Sequence, residues 1–207
     1  MSLFVTRQEY RKWDGTWRCL TQTAVDFTFI NRLQQTWESD FSMPERSDEE
    51  VTAWHEAGHA FVAVYLGGDV QSLSIDPDWD DGPQRFGDTT VHWQAGRFTE
   101  QQLRENAVLV CLAGPVVEML HKGDEFHPAT VAEWSQDWRM AWQAADFILN
   151  QQQRMTFLEQ VTKDLYRILS QSNHWAAIGA LVDHLLAYEV MEGETVHEIV
   201  AEWVSVR

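Results

Sequence analysis

The chain has 207 residues, enough for one domain, or one domain with an extension, and for a substantial core. An apolar content of 44% with 11 tryptophans excludes a disordered chain. Acidic residues outnumber basic ones 32 to 15, for a formal charge of −17, and no Lys/Arg cluster stands out, which argues against nucleic acid and anionic membrane as partners. The surplus charge suits solubility and basic substrates, and a solvated acidic surface accounts for it equally well. The longest apolar run, near Ala60 to Leu66, is far too short to span a bilayer, and no basic-then-apolar signal segment opens the chain. Two cysteines, Cys19 and Cys111, are too few for a disulfide framework and fit a reducing cytoplasm.

In chain order, residues 1–46 mix aromatics such as Trp13, Trp17 and Phe27 with polar residues and show no sustained helical period before Phe29 to Trp37. They read as an N-terminal extension, separated by Pro44 from a domain at 47–207. Ser47-Asp48-Glu49-Glu50 is a capping box that starts a helix, and Gly67-Gly68 stops it. Val70 to Ile75 partly alternates and predicts a strand; Asp76 to Gly87 is a turn-rich loop; Asp88 to Trp93 predicts a second strand. Asp76 to Gly82 approaches the pattern of a calcium loop, but its glycine falls one position late and Gly87 stands where the bidentate glutamate belongs, so it reads as an acidic turn. Thr99-Glu100-Gln101-Gln102 is a second capping box, starting a helix through Leu120, and further helices are predicted at 129–150, 154–171, 173–189 and 194–204. The expected class is mainly α (α+β), with a small β-sheet beside the first helix.

That helix carries His55-Glu56-Ala57-Gly58-His59, an H-E-x-x-H pattern. Residues four apart share one helix face, so both imidazoles can reach a single ion. Glu56 is placed to take a proton from a water activated by that ion. Zinc suits two imidazoles plus one further ligand, with an open fourth position. Val51, Gly58, Val62 and Leu66 lie on the same face as the histidines, so the motif sits mid-helix on an apolar side. The bland alternative is a pair of hydrogen-bonded core histidines, which leaves Glu56 and the cap as coincidences.

The third ligand must come from downstream. Trp54-His55-Glu56-Ala57-Gly58-His59-Ala60, Leu112-Ala113-Gly114-Pro115-Val116-Val117-Glu118, Gln136-Asp137-Trp138-Arg139-Met140-Ala141 and the stretch Leu185 to Glu194 follow one another in an order that resembles the protease domain of FtsH-type ATP-dependent zinc metalloproteases. The resemblance spans roughly residues 48–204 and implies a zincin-like fold with zinc held by His55, His59 and Asp137, and with Glu56 as general base. It implies hydrolysis of peptides or unfolded protein segments, with the strand near Asp88 to Trp93 pairing with extended substrate. Pro115 replaces the family's usual arginine, and Ala132-Glu133-Trp134-Ser135 replaces its glycine-rich approach to the aspartate. No G-x-x-x-x-G-K-[ST] motif occurs, so the expected enzyme is a metallopeptidase without its own ATPase. The reading leaves room for a homo-oligomer, for a separately encoded ATPase as partner, and for a non-catalytic zinc-binding interaction module derived from a protease.

Independently of any family, Glu133 and Asp137 fit E-x-x-x-D, which offers Glu133 as an alternative ligand with Asp137 behind a histidine. Glu118 either orients a ligand histidine or serves a cap or surface. Trp134, Trp138 and Trp142 form a helical stripe expected mainly in the core, with a cleft wall as the alternative. The remaining histidines (His92, His121, His127, His174, His184 and His197) lack ligand spacing and suit surface or capping roles.

Overall fold

In the computed structural model, the described residues are 9–11, 17–19, 48–75, 87–123, 129 and 131–204. The chain divides into two compact units, Met1–Glu45 and Arg46–Arg207. Of the first unit, the description covers a short antiparallel hairpin, β1 (Glu9–Arg11) with β2 (Trp17–Cys19), in the register Tyr10 opposite Arg18. The expected helical period at 29–37 and the Ser47 cap lie outside the described residues, as does the acidic turn at 76–86.

In the second unit, helix α1 (Asp48–Tyr65) opens with Asp48, Glu49 and Glu50 in its first turn, where acidic side chains complement the helix dipole. It buries Ala53, Ala57, Ala60, Phe61, Val62, Ala63 and Val64 almost completely. Gly67, at φ +83°, ends it, and the chain turns into β3 (Asp69–Ser74) and its antiparallel neighbour β4 (Asp88–His92). Helix α2 (Glu100–Lys122) begins at the expected capping box: Thr99 Oγ1 accepts from Gln102 N, and the Gln102 side chain accepts from Thr99 N. Gly123, at φ +75°, closes it in the left-handed conformation that favours glycine.

α1 and α2 cross closely because Gly58 lacks a side chain. A Cβ there would lie 2.8 Å from Val117 Cγ2 and 2.9 Å from the Ala113 carbonyl, so any larger residue would push the helices apart. This crossing carries the histidine face of α1 onto the middle of α2.

The single helix expected over 129–150 is instead three short pieces. A 3-10 turn (Ala132–Trp134) leads into α3 (Ser135–Ala144), and a second 3-10 turn (Ala145–Phe147) follows. Asn150 accounts for the break: its side chain accepts from Gln153 N and caps the next helix, so the preceding chain must leave helical geometry. Helix α4 (Gln151–Leu169) follows, then α5 (Ser172–Tyr188).

A strand that the sequence reading missed lies between the last two helices. Glu189 takes φ +63°, an uncommon conformation for a residue with a Cβ, and turns the chain into β5 (Val190–Glu192). β5 pairs antiparallel with β3, Leu73 opposite Met191, giving a three-stranded sheet in the order β4-β3-β5. Gly193 then starts α6 (Gly193–Trp203) hard against β3, where a Cβ would collide with the Val70 carbonyl. The result is a mainly helical α+β unit with a small antiparallel sheet beside α1. Among the described residues no helix is long and apolar enough to cross a membrane.

Candidate metal centre

His55 and His59 stand one turn apart on α1, with ring centroids 4.8 Å apart. Each has one ring nitrogen committed. His55 Nδ1 lies 3.2 Å from Glu118 Oε2 and His59 Nδ1 lies 2.7 Å from the Val110 carbonyl oxygen, both acceptors belonging to α2. In a neutral imidazole, an N–H donated to such an acceptor leaves Nε2 as the lone-pair nitrogen, and both rings turn Nε2 toward Asp137.

Asp137, in the first turn of α3, completes that convergence. Its Oδ2 is 3.1 Å from His55 Nε2 and its Oδ1 is 3.6 Å from His59 Nε2. A tetrahedral ion with bonds of about 2.0–2.2 Å sets its ligand atoms about 3.3–3.5 Å apart; each carboxylate oxygen stands near that spacing from a different imidazole, Oδ2 from His55 and Oδ1 from His59. Gly114 keeps the space clear. A methyl group on it would lie 2.8 Å from His55 Nε2 and closer still to His59 Nε2, so only glycine leaves room there for an ion or for the imidazoles themselves.

Glu56 points beside this group. One of its oxygens and one nitrogen from each histidine lie within 4.8 Å of one another, the one such potential metal-holding triplet among the described residues. The side chain is 8% exposed. Thr89 on β4 donates its hydroxyl to Glu56 Oε2 at 2.7 Å. Gly87 passes so close to the carboxylate that a Cβ would fall 2.6 Å from Oε1. Glu56 by distance alone is also a metal ligand candidate; the Asp137 oxygens stand 3.1 and 3.6 Å from the two Nε2 atoms, and Thr89 already occupies one Glu56 oxygen.

The electrostatics are those of a site built for positive charge. Burial lowers the His55 pKa, but hydrogen bonds to Asp137 and Glu118 and the charges of Glu56 and Asp137 outweigh it and carry it to about 10. Burial raises the Asp137 pKa, yet the hydrogen bond from His55 and the charges of His59 and His55 bring it below the ordinary carboxylate value. Burial, then the charge of Asp137, pushes the nearby Cys111 thiol up to about 12, leaving it protonated. In the metal-free site a proton on His55 supplies the charge that a cation would supply.

Glu118 resolves in favour of orienting a histidine rather than a cap or a surface role. It is 0% exposed, and the donors around it include His55 Nδ1 at 3.2 Å and Trp134 Nε1 at 2.6 Å on Oε2, and Lys122 Nζ at 2.6 Å on Oε1. Glu133, the alternative ligand, is exposed on the 3-10 turn. Within the tryptophan stripe, Trp134 is buried, whereas Trp138 and Trp142 are half-buried, the latter beneath the Arg154 guanidinium at 5.1 Å.

The other histidines stay out of the site. Of the surface and capping roles expected, His174 takes the second: it is 5% exposed, and its Nδ1 lies 2.8 Å from the carbonyl oxygen of Ile168 in the last turn of α4. His121 stacks on Trp54, His184 packs beside Tyr188, and His197 lies 3.4 Å from Asp69. His92 is exposed, and His127 lies outside the described residues. A cavity of about 440 Å³ lined by Gly67, Asp69, His92, Arg97 and His197 contains none of the candidate ligands. Thr89, Gly87, Gly114 and the Trp134 contact were not singled out from sequence. Only the shortness of Ala113-Gly114 opposite the histidines offered any signal.

No protein-family model matches the chain, and no curated protein matches it. Fold and site together define a mainly helical α+β protein that carries H-E-x-x-H on a buried helix, with a downstream aspartate brought to the two histidines.

Proposed function

We propose that this protein is a zinc-dependent metallopeptidase related to the protease domain of FtsH-type enzymes, acting on peptides or unfolded protein segments in the cytoplasm. The observation that carries the reading is the convergence of Asp137 on the two Nε2 atoms, at 3.1 and 3.6 Å, beside a glutamate held by a separate donor. His55, His59 and Asp137 would hold the ion, and the donor set of two imidazoles and one carboxylate suits zinc. A zinc ion held there would lower the pKa of water far below its bulk value, to about 7, and would polarise a carbonyl oxygen.

The chain's own groups account for the remaining chemistry. Glu56 accepts a proton from the attacking water and later delivers it to the leaving amine nitrogen. Thr89, bonded to Oε2, fixes the carboxylate so that Oε1 is the atom that carries the proton. Gly87 and the buried flank of α1 limit the water around Glu56, which strengthens its charge interactions. Among the described residues β4 is an edge strand in the order β4-β3-β5, so an extended peptide could add to its outer side by main-chain hydrogen bonds, beside Thr89 and Glu56. That mode selects extended backbone more than any one side chain, hence peptides and unfolded segments as substrates.

The test pairs metal analysis with cleavage. Purified protein should contain about one zinc per chain and cleave an unfolded protein or peptide library without ATP. Glu56→Gln should keep the zinc and lose rate by about 10²–10⁴-fold. A zinc-bound wild type that cleaves nothing would favour an interaction module, and equal cleavage by Glu56→Gln would remove Glu56 from the chemistry.

A further inference from the structure

We infer that Trp134 is a positioning residue for the metal: through Glu118 it locks the His55 imidazole and the start of the Asp137 helix into one frame and so sets the affinity of the site. The inference rests on the reading that His55, His59 and Asp137 hold the ion.

Glu118 has no exposure to solvent, so its charge is tolerable only with donors around it. Two of those donors share a single oxygen. Oε2 takes both the His55 Nδ1 contact at 3.2 Å and the Trp134 indole N–H at 2.6 Å. Lys122 takes the other oxygen and neutralises the carboxylate. Swinging Oε2 away from the indole therefore swings it away from His55 too.

Trp134 also stands at a decisive point in the chain. It is the last residue of the 3-10 turn and the N-cap position of α3, three residues ahead of Asp137. That helix start has no side-chain cap hydrogen bond. Its placement depends on the Trp134 ring, which is 1% exposed and tied to α2 through Glu118. His55 and Asp137 are 82 positions apart in sequence. One buried carboxylate and one indole bring both to the same reference, the C-terminal end of α2.

A purely space-filling tryptophan would lack this coupling, and a double-mutant cycle separates the two cases. Zinc dissociation constants are measured by competition with a chelator for wild type, Trp134→Phe, Glu118→Gln and the double variant, with far-UV circular dichroism as the check on folding. Phenylalanine keeps most of the ring and removes the N–H. Losing a group that orients a metal ligand typically weakens binding by about 10–100-fold, so Trp134→Phe should weaken zinc binding by about 10-fold. Because Trp134 acts through Glu118, the double variant should bind no more weakly than Glu118→Gln alone. Wild-type affinity in Trp134→Phe, or losses that multiply in the double variant, would overturn the inference. A wild type that binds no zinc refutes the metal reading instead, a distinguishable result. Should Trp134→Phe not fold, ¹⁵N-indole labelling of the wild type decides: one indole N–H must be protected from solvent exchange and must lose that protection in Glu118→Gln. If no indole signal behaves in this way, the inference fails.

Discussion

Replacing Gly114 by alanine tests the candidate centre at its tightest point. The added methyl would sit 2.8 Å from His55 Nε2 and closer to His59 Nε2, and contacts under 3.0 Å force something to move. To reach the 3.4 Å of ordinary contact, His55 Nε2 would retreat by about 0.6 Å and His59 Nε2 by more. Neither ring is free to do so without loosening its bond to Glu118 or to the Val110 carbonyl. An ion bound at about 2.0–2.1 Å from both nitrogens would have to share that volume with the methyl. Two ligands are disturbed at once, so the loss should exceed the roughly 10–100-fold of a single orienting contact; we expect zinc affinity to fall by at least about 100-fold. Overpacking should cost about 1–3 kcal/mol of stability as well. The assay is chelator competition for affinity, with thermal unfolding in zinc and in chelator. Gly179→Ala is the control, since a Cβ there meets only Trp54 at 3.8 Å. It should leave zinc binding unchanged and stabilise α5 by up to about 1 kcal/mol. Zinc affinity in Gly114→Ala equal to wild type would refute the placement of the ion between the two imidazoles.

Asp137→Ala should lose zinc nearly as badly as His55→Ala, while Glu133→Ala, an exposed position, should retain it; the reverse pattern by metal analysis would transfer the ligand role to Glu133. Thr89→Val removes a donor to Glu56, a hydrogen bond to a charged group worth about 1.5–3 kcal/mol. It should lower kcat by about ten-fold or more at unchanged zinc content, with Thr89→Ser restoring most of it, and an unaltered kcat in Thr89→Val would end its role. Since His55 carries a proton up to about pH 10 without metal, zinc must displace it, so zinc added at pH 8 in weak buffer should release about one proton per ion from this residue. The same raised pKa stabilises the metal-free fold fully below about pH 6.5 and progressively less as pH rises toward 10. Its unfolding temperature in chelator should therefore decline across that window, and a flat profile would contradict it.

Much of the fold is written in short-range signals. Capping residues Thr99 and Gln102, and the glycines at 67 and 123, mark helix ends because their backbone or side-chain chemistry acts within one turn. The histidine pair is equally local, being set by helix geometry. β5 was not legible: three residues carry too little alternation, and what makes them a strand is β3, more than a hundred positions earlier. The break at 145–150 follows from Asn150, whose cap on the next helix is a single side-chain bond inside an otherwise helical pattern. Asp137 emerged from family resemblance, not from spacing, since its approach to His55 is created by tertiary packing alone. Thr89 and Trp134 were invisible as functional groups for the same reason: each acts on a carboxylate supplied by a different element.

The split origin of the three ligands has a thermodynamic consequence. His55 and His59 are neighbours even in a lone helix, but Asp137 reaches them only when α1, α2 and α3 are assembled. An unfolded chain therefore has no comparable site, and an ion selects the folded state by mass action: free zinc at 100 times the dissociation constant adds about 2.7 kcal/mol. On the proposed metal reading, cellular supply of the ion would therefore set the stability of the folded chain as well as its turnover.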